Sequence, residues 1–379
     1  MFQELKMKSA LVVTWWGAIS NYGSILQAYA VSEVLKEFGY KAVMLKVCEP
    51  DDSIWKKIKR KLFCNPFRFI YGRIYKWFLY EKDLSRKTAE FCNKNLHISE
   101  KIYRLDTLSG IPKYNLYVVG SDQMWNFTGE GDERYAEERL LAFAPEKSKK
   151  ISFAVSFGGN SFPSFLANYA SEQLKTFDFV SVREKSGVDV CKKLGFANAV
   201  YHPDPTFLLS ADDYRTLYDG NENIPRKRYV LLYLLNNSTR FSLKAFYKWA
   251  EKEKLEVVYV NGNMQFCKFN FYKKTYATVT QWLKLIDHAE YVFTNSYHGT
   301  IFSLVFNKKF VSVLQNGKIA LKNERFKSLF EEFDLKNRIY NSDFDRVKED
   351  LNYSLINEKL TMLREKSCIK AFLKEIYND

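Results

Sequence analysis

The chain has 379 residues, of which 46% are hydrophobic and 27% are charged, and its formal net charge is +14. These proportions are typical of a globular protein and exclude a disordered or fibrous chain. Because a single hydrophobic core stops growing at roughly 250–300 residues, the length predicts two domains. The positive surplus favours acidic partners, among them phosphate esters, nucleic acid and anionic lipid.

Cysteine spacing and hydropathy indicate the compartment. The six cysteines are scattered, without the paired spacing or neighbouring histidines of a zinc site. The apolar run Ala10–Trp16 is too short for the core of a secretion signal, and no stretch reaches the ~18 apolar residues of a membrane span. We therefore expect a cytoplasmic protein that is not integral to a membrane, and we expect it to need no metal or cofactor.

The first part of the chain alternates predicted strands and helices. A strand at Ser9–Trp16, a helix at Ser24–Phe38 and a strand at Tyr40–Val47 form a βαβ unit. This alternation predicts a mostly parallel, doubly wound sheet. The further predicted strands are Leu116–Gly120, Ile151–Ser156, Phe179–Arg183 and Ala199–His202, and the further helices are Ser164–Thr176 and Glu184–Leu194.

A polar, turn-rich stretch at 219–228 predicts a domain boundary, after which the alternation restarts. We predict a first domain at 1–220, with a basic aromatic insertion at 51–86, a second domain at 228–350 and a C-terminal segment at 351–379. The fold class is α/β, with two Rossmann-like α/β/α domains facing a cleft. The predicted elements of the second half are strands Tyr229–Leu235, Leu255–Asn261, Tyr291–Asn295 and Phe310–Leu314, and helices Ser242–Glu253, Val279–His288, one from about His298, one at Ser328–Phe333 and a long one at Ser354–Ile376.

Six short polar segments follow apolar runs. In a parallel sheet such positions lie at the carboxyl ends of the strands, where ligands bind, so the six are expected to face one cleft. The segments are Asn21–Ser24, Gly120–Asn126, Ser156–Gly158, Val182–Glu184, Asp204–Thr206 and Ser296–Gly299.

The first of these segments opens a helix. Asn21, Gly23 and Ser24 are candidates for an anion site, because the free N–H groups at a helix start suit a phosphate or carboxylate. The alternative is an ordinary turn in which Asn21 or Ser24 caps the helix.

The second segment carries Ser121, Asp122, Gln123, Trp125 and Asn126. A carboxylate at a strand end can accept a proton from a sugar hydroxyl, and the indole can offer a flat face to a pyranose. The alternative is that the aspartate is a helix cap and the tryptophan belongs to the core.

Arg183 and Asp204 follow two further strands. The planar fork of Arg183 suits bidentate capture of a carboxylate or phosphate, and the alternative is an ion pair with Glu184 or another acid. Asp204 lies between two prolines in a stiff, extended segment, where it either positions a partner group or caps the loop.

His298 is the strongest single candidate. With Ser296 and Gly299 it forms a strand-to-helix turn, where amide groups favour an anion and the imidazole can exchange protons near neutral pH. The alternative is a half-buried histidine with one backbone hydrogen bond. The other histidines are interpreted as structural: His97, His202 and His288.

In this order, and after these apolar runs, the segments resemble the polysaccharide pyruvyltransferase family over about residues 10 to 335. Their most specific elements are Gly-Ser-Asp-Gln-Met-Trp-Asn at 120–126 and Ser-Tyr-His-Gly at 296–299. The resemblance implies a glycosyltransferase-B-like fold and transfer of pyruvate from phosphoenolpyruvate to two hydroxyls of a sugar, which forms a ketal. It implies Arg325 as a second anion clamp, and we expect His298 to act as acid or phosphate partner and Asp122 as base.

Two other functions fit parts of the sequence. A nucleotide-sugar glycosyltransferase would share the fold, although the pairing of the two specific elements disfavours it. A non-enzymatic nucleic-acid binder would suit the charge, but no nucleic-acid module motif is present and much of the basic surplus lies in one segment.

That segment, Ile54–Lys82, holds nine lysine or arginine residues and one acid among many aromatics. This composition is typical of an interfacial helix on an anionic membrane, which would make the acceptor a lipid-linked saccharide. The alternative is that the aromatics pack on the body of the protein and the basic residues are solvated. The segment is also where the sequence departs from the simplest picture of the family.

Overall fold

The computed structural model describes residues 7–17, 21–48, 82–127, 131–218, 220, 222–235, 240–261, 272, 274–317, 320 and 323–378. Residues 51–81 of the predicted basic aromatic insertion at 51–86 lie outside the described residues, so the two interpretations of the segment remain predictions. The strands are β1 Lys8–Val13, β2 Tyr40–Met44, β3 Val47–Cys48, β4 His97–Ile98, β5 Tyr103–Arg104, β6 Leu116–Val119, β7 Lys149–Val155, β8 Phe179–Val182, β9 Val200–Tyr201, β10 Tyr229–Leu234, β11 Glu256–Asn261, β12 Tyr291–Thr294 and β13 Lys309–Ser312.

Helices connect and flank these strands. In the described residues the α-helices are α1 Tyr22–Glu37, α2 Lys82–Asn95, α3 Ala136–Arg139, α4 Ser164–Leu174, α5 Lys185–Lys193, α6 Ala211–Arg215, α7 Leu243–Lys252, α8 Val279–Asp287, α9 Tyr297–Val305, α10 Glu324–Phe333, α11 Tyr353–Glu365 and α12 Cys368–Asn378. Short 3₁₀ helices occur at Asp132–Tyr135, Pro205–Leu208, Lys336–Arg338 and Asp345–Lys348.

Two parallel sheets form the framework, which confirms the predicted fold class. The first has the order β4-β2-β1-β6-β7-β8-β9 and the second has the order β11-β10-β12-β13. In the first sheet the chain leaves β1 on one side for β2 and returns on the other side for β6. In the second sheet the same reversal occurs beside β10. Such reversals create a crevice at the carboxyl ends of the strands.

Two predicted elements are divided in the structure. The strand predicted at Tyr40–Val47 ends at Met44, and Val47–Cys48 pairs separately with β5. The long helix predicted at Ser354–Ile376 is wrong, because α11 ends at Glu365 and α12 begins at Cys368.

Ser367 explains the break in the C-terminal helix. Its hydroxyl oxygen accepts a hydrogen bond from the amide of Lys370 at 3.4 Å, so it caps the first turn of α12. The same hydroxyl lies 2.8 Å from Nε2 of the buried His202. A buried serine with two such partners starts a new helix instead of continuing the old one.

One hydrophobic cluster joins the two sheets. It contains inner-face residues of the first sheet, such as Val12 and Val118, and of the second sheet, such as Leu231 and Val292. A second cluster covers the other face of the first sheet, and a third covers the other face of the second. The inner faces of the two domains therefore share a single core.

Tyr22 is the central side chain of this shared core. It lies at the start of α1, is 1% exposed, and stacks on Trp282 of α8 at 5.2 Å between ring centroids. Its hydroxyl donates a hydrogen bond to the carbonyl of Ala277 at 2.9 Å. The first helix of the first domain is thereby fixed to the second domain.

The C-terminal helices pack back on the first domain. Phe372 of α12 stacks on Phe179 of β8 at 4.8 Å between ring centroids. The guanidinium of Arg364 donates to the carbonyl of Phe207 at 2.9 Å, and Lys8 donates to the carbonyl of Tyr377 at 2.8 Å. None of the helices in the described ranges is both long and apolar enough to cross a bilayer.

We expect Tyr22→Ala to lower the free energy of unfolding by about 3 kcal/mol or more, because it empties a buried aromatic site. Tyr22→Phe, which removes only the hydroxyl, should cost about 1 kcal/mol. Denaturant titration measures both. The control is Tyr169→Ala on α4, where the ring is 39% exposed. An equal loss of unfolding free energy in the control would contradict the role of Tyr22 in holding the two domains together.

Candidate functional site

Five charged or titratable side chains come together where the two domains contact each other. Asp122 follows β6, Arg183 follows β8, Asp204 follows β9, His298 lies in the first turn of α9, and Arg325 lies in the first turn of α10. All five are at most 8% exposed. Buried charges persist only when they are paired or face a ligand, so this cluster is the candidate site.

Arg183 is the centre of the cluster. Its Nη1 donates to Oδ2 of Asp204 at 2.6 Å, and its Nη2 donates to Oδ1 of Asp122 at 3.1 Å. Its side chain is fully buried. Both terminal nitrogens of Arg183 are thus bound to carboxylates of the protein, and capture of a ligand by its guanidinium remains a prediction. The alternative of an ion pair is correct, with these two acids as partners.

Asp204 has both of the roles considered for it. Its Oδ1 accepts hydrogen bonds from the amide and the hydroxyl of Thr206, at 3.1 and 2.7 Å, and so caps the 3₁₀ helix. Its Oδ2 is shared between Arg183 and Nε2 of His298, which lies 3.3 Å away. A carboxylate beside one ring nitrogen fixes the orientation of an imidazole.

The acids of the cluster differ in charge state. Burial alone favours the neutral acid, but contacts with His298, Arg183 and Thr206 outweigh it and hold the pKa of Asp204 well below its usual value. For Asp122, Arg183 likewise outweighs burial and lowers the pKa. Both carboxyls are therefore ionised at neutral pH, the form that accepts a proton.

Glu184 behaves in the opposite way. Burial raises the pKa of its carboxyl. One carboxyl oxygen is hydrogen-bonded to the hydroxyl of Ser156, and the other, Oε2, is buried without a hydrogen bond within the described residues. Glu184, the residue after Arg183, is thus less readily ionised than Asp122 and Asp204.

Gly23 leaves the space at the start of α1 that the ring of His298 occupies. A Cβ atom at position 23 would lie 2.2 Å from Cγ and Nδ1 of the His298 ring. Only a residue without a side chain lets the start of α1 approach the imidazole this closely. The Nδ1 edge of His298 thus faces the first turn of α1, while Nε2 faces Asp204.

Tyr297 contacts both arginines of the site. The Cζ atoms of Arg183 and Arg325 lie 5.2 and 5.1 Å from the centroid of its ring. Cation–π attraction to one electron-rich ring lets two guanidinium groups share a small volume. Burial raises the pKa of the Tyr297 hydroxyl well above its usual value, so the ring stays neutral.

Arg325 is the second buried cation of the site. Within the described ranges it makes no salt bridge, and its buried Nε has no hydrogen-bond partner. Burial and the neighbouring Arg183 lower its pKa, but an arginine stays charged in proteins. Arg325 therefore differs from Arg183 in having no carboxylate within salt-bridge distance among the described residues.

Two of the predicted polar residues, Asn21 and Ser296, are helix N-caps, and Ser24 lies in the first turn that Asn21 caps. The side chain of Asn21 accepts from the amide of Ser24 at 3.4 Å, and the Ser24 hydroxyl donates to the carbonyl of Asn21 at 3.0 Å. The hydroxyl of Ser296 accepts from the amide of Gly299 at 3.2 Å. Gly299 itself packs against Thr294, since a Cβ there would lie 2.5 Å from its Oγ1. The caps fix the two helix starts that flank His298.

The polar residues of the segment at 120–126 have different roles. Ser121 donates its hydroxyl to the carbonyl of Ala154 at 2.7 Å and is fully buried. Gln123 and Asn126 are half-buried, and the amide of Asn126 donates to that of Gln123 at 3.3 Å. Asp122 adopts φ of 64°, a left-handed conformation that aspartate tolerates, and reaches Arg183 from there.

The prediction that Trp125 presents a flat face to a sugar is wrong. Its ring is 1% exposed and packs against Phe157 at 5.3 Å between ring centroids. Its Nε1 donates to the carbonyl of Arg139 at 2.9 Å. A strand-end tryptophan with a buried hydrogen-bond partner belongs to the core, which was the alternative.

Sequence reasoning did not select Tyr22, Glu184, Ser156 or Tyr297 as site residues. Each lies in, or directly next to, one of the six polar segments. Their functional signal is a partner from a distant part of the chain, such as the pairing of Tyr297 with Arg325. A single sequence does not contain that information.

The sequence matches the polysaccharide pyruvyl transferase family over residues 21–316. This span is most of the chain and includes Asp122, Arg183, Asp204 and His298, while Arg325 follows it. The chain belongs to the polysaccharide pyruvyl transferase family. It is a transferase enzyme of polysaccharide biosynthesis.

Solved structures of similar fold include UDP-GlcNAc 2-epimerases and a glycosyltransferase. The UDP-GlcNAc 2-epimerase of Methanocaldococcus jannaschii is 10% identical with a TM-score of 0.46, and the match covers 95% of this chain and 94% of that chain. A glycosyltransferase from Streptomyces nogalater is 11% identical with a TM-score of 0.44, covering 98% and 100%. A putative UDP-N-acetylglucosamine 2-epimerase from Listeria monocytogenes is 8% identical with a TM-score of 0.48, covering 98% and 91%. No curated protein sequence matches the chain.

We expect Gly23→Ala to destabilise the protein by about 1–3 kcal/mol, the usual cost of forcing an extra methyl into a packed site. In a His298→Ala background the same change should be nearly neutral, because the ring that the methyl meets is absent. Unfolding free energies of the four proteins in this double-mutant cycle measure the effect. Equal costs in both backgrounds would contradict the contact between Gly23 and His298.

Proposed function

We propose that the protein transfers pyruvate from phosphoenolpyruvate to two hydroxyls of a sugar, forming a cyclic ketal and releasing inorganic phosphate. The observation that carries this proposal is Arg325, a buried cation that makes no salt bridge within the described residues and belongs to the same cluster as His298 and Asp122. Phosphoenolpyruvate bears a carboxylate and a phosphate close together, and a binding site for it needs an uncommitted cation. The family match supports the reaction class.

The donor would bind between the starts of two helices. Arg325 contributes one full charge, and the first turns of α1 and α9 contribute amide groups and the positive ends of their dipoles. Tyr297 keeps Arg325 beside Arg183. Arg183 acts indirectly, because its charge is matched by Asp122 and Asp204.

Proton transfers would be divided between two side chains. A proton added to the methylene carbon of the donor makes the adjacent carbon oxocarbenium-like, a sugar hydroxyl attacks that carbon, phosphate leaves, and the second hydroxyl closes the ring. His298, oriented by Asp204, is the acid or the phosphate partner. Asp122 is ionised and accepts the proton of a sugar hydroxyl. Fixed cations supply the charge stabilisation.

The acceptor is proposed to be a sugar of a cell-surface polysaccharide or of its lipid-linked precursor. The family match supports a polysaccharide acceptor. The lipid-linked form, and peripheral attachment to the inner face of the cell membrane, are supported by the basic aromatic composition of Ile54–Lys82.

Phosphoenolpyruvate should stabilise the protein by mass action, by about 2.7 kcal/mol at a hundred times its Kd. Arg325→Gln should abolish the shift, since it removes this buried cation. The matched control is Arg228→Gln, an exposed arginine paired with Glu290, which should leave the shift unchanged. Thermal unfolding with phosphoenolpyruvate and with UDP-sugars measures these effects. Stabilisation by UDP-sugars alone would instead support a nucleotide-sugar glycosyltransferase.

His298→Ala and Asp122→Asn should each reduce phosphate release at least about a hundredfold, the usual size of a general acid or base contribution. Asparagine also tolerates the left-handed backbone at position 122, so the turn should persist. Steady-state rates on folded variants measure the effect. The control is His288→Ala, on an exposed histidine at the end of α8. Wild-type turnover in His298→Ala would show that this histidine is structural.

A further inference from the structure

Trp15 lies at the reversal of strand order in the first sheet. It is the second residue after β1, which lies between β2 and β6. Parallel α/β sheets bind ligands at this point. Trp15 is 45% exposed, unlike Trp125, which is 1% exposed. A large aromatic ring thus faces the outside at the crevice edge.

The main chain around Trp15 is tied to the candidate site. The Thr14 hydroxyl donates to the carbonyl of Ser121 at 3.2 Å, directly before Asp122 in the chain. The amide of Gln27 donates to the Trp15 carbonyl at 3.0 Å and to the Thr14 hydroxyl at 2.8 Å. Trp15 is therefore held at a fixed position beside the turn that carries the proposed base.

Arg139 supports the ring from the interior. It is 4% exposed, and its Cζ lies 5.3 Å from the ring centroid of Trp15. The rings of Phe127 and Tyr135 also lie beside Arg139, with centroids 5.6 and 4.3 Å from its Cζ. Within the described residues Arg139 makes no salt bridge, and its buried Nε has no hydrogen-bond partner. Its Nη1 donates to the carbonyl of Asn126 at 3.4 Å. A buried guanidinium that has no carboxylate within salt-bridge distance among the described residues is costly for structure alone.

Trp125 connects this cluster to the turn that carries Asp122. Its Nε1 holds the carbonyl of Arg139, so the segment at 120–126 carries Asp122 at one end and supports Arg139 at the other. Trp125 therefore contributes to the position of Arg139, and Trp15 is the indole that faces the outside.

We propose that Trp15 is the stacking platform for the acceptor sugar and that Arg139 positions its ring. A pyranose has a face of C–H groups that packs on a flat aromatic ring, while its hydroxyls remain free at the edge. A sugar on Trp15 brings those hydroxyls to the turn of Asp122. The inference rests on the proposed function in that it assigns the acceptor subsite of the same reaction.

The test is direct binding of defined probes: methyl β-D-glucopyranoside, methyl β-D-galactopyranoside and methyl N-acetyl-β-D-glucosaminide. Saturation-transfer NMR from the wild-type protein should mark the C–H face of at least one of them. Trp15→Ala should weaken that binding at least about tenfold, the loss expected for one aromatic stack. Trp15→Phe should recover part of it, and Arg139→Lys should retain more than Arg139→Gln. The control is Phe165→Ala on α4, where the ring is 65% exposed.

The outcomes separate this inference from the proposed function. Equal transfer in wild type and Trp15→Ala, or no transfer from the wild type to any probe, would overturn the inference. Stabilisation by phosphoenolpyruvate should be the same in Trp15→Ala as in wild type, which also shows that the variant is folded. A protein that binds a pyranoside through Trp15 but is not stabilised by phosphoenolpyruvate would refute the proposed reaction and leave the platform standing.

Discussion

The shared carboxylate of Asp204 is the contact on which the site depends. One of its oxygens holds Arg183 of the first domain at 2.6 Å and lies 3.3 Å from His298 of the second domain. The other is fixed by Thr206. Removal of one partner from a buried set of this kind leaves an unpaired charge, which is more costly than the net gain of forming the set. The orientation of the imidazole and the placement of Asp122 therefore depend on the same ion pairs.

The start of α1 combines structure and chemistry in two adjacent residues. Tyr22 enters the core of the second domain, and Gly23 provides the space in which the His298 ring lies. The helix therefore needs a large side chain at position 22 and no side chain at position 23. Helix starts also provide amide groups of the kind that suit an anion, and this helix start lies where the two domains meet.

The sequence predicts the framework and the positions of the charged residues well. Asp122, Arg183 and His298 follow apolar runs, and such positions meet at the carboxyl ends of parallel strands. The partners are harder to predict, since Arg183 and Asp122 are 61 positions apart in the chain. The tryptophans show a second difficulty. Trp15 is exposed, while the neighbouring Trp16 is half-buried and donates its Nε1 to the carbonyl of Leu45, and only the direction of the chain after β1 decides between them.

The common core of the two sheets has a consequence for how such proteins diversify. Proteins with independent domains exchange them by recombination, because each half keeps its own packing. In this chain Tyr22 is packed by Trp282 and Tyr233, and the C-terminal helices return to the first domain. A domain taken from a related protein would need a sheet face that fits the shared core and C-terminal helices that fit the first domain. New acceptor specificity is therefore expected to arise by substitution around the crevice within an intact chain, and not by the shuffling of its halves.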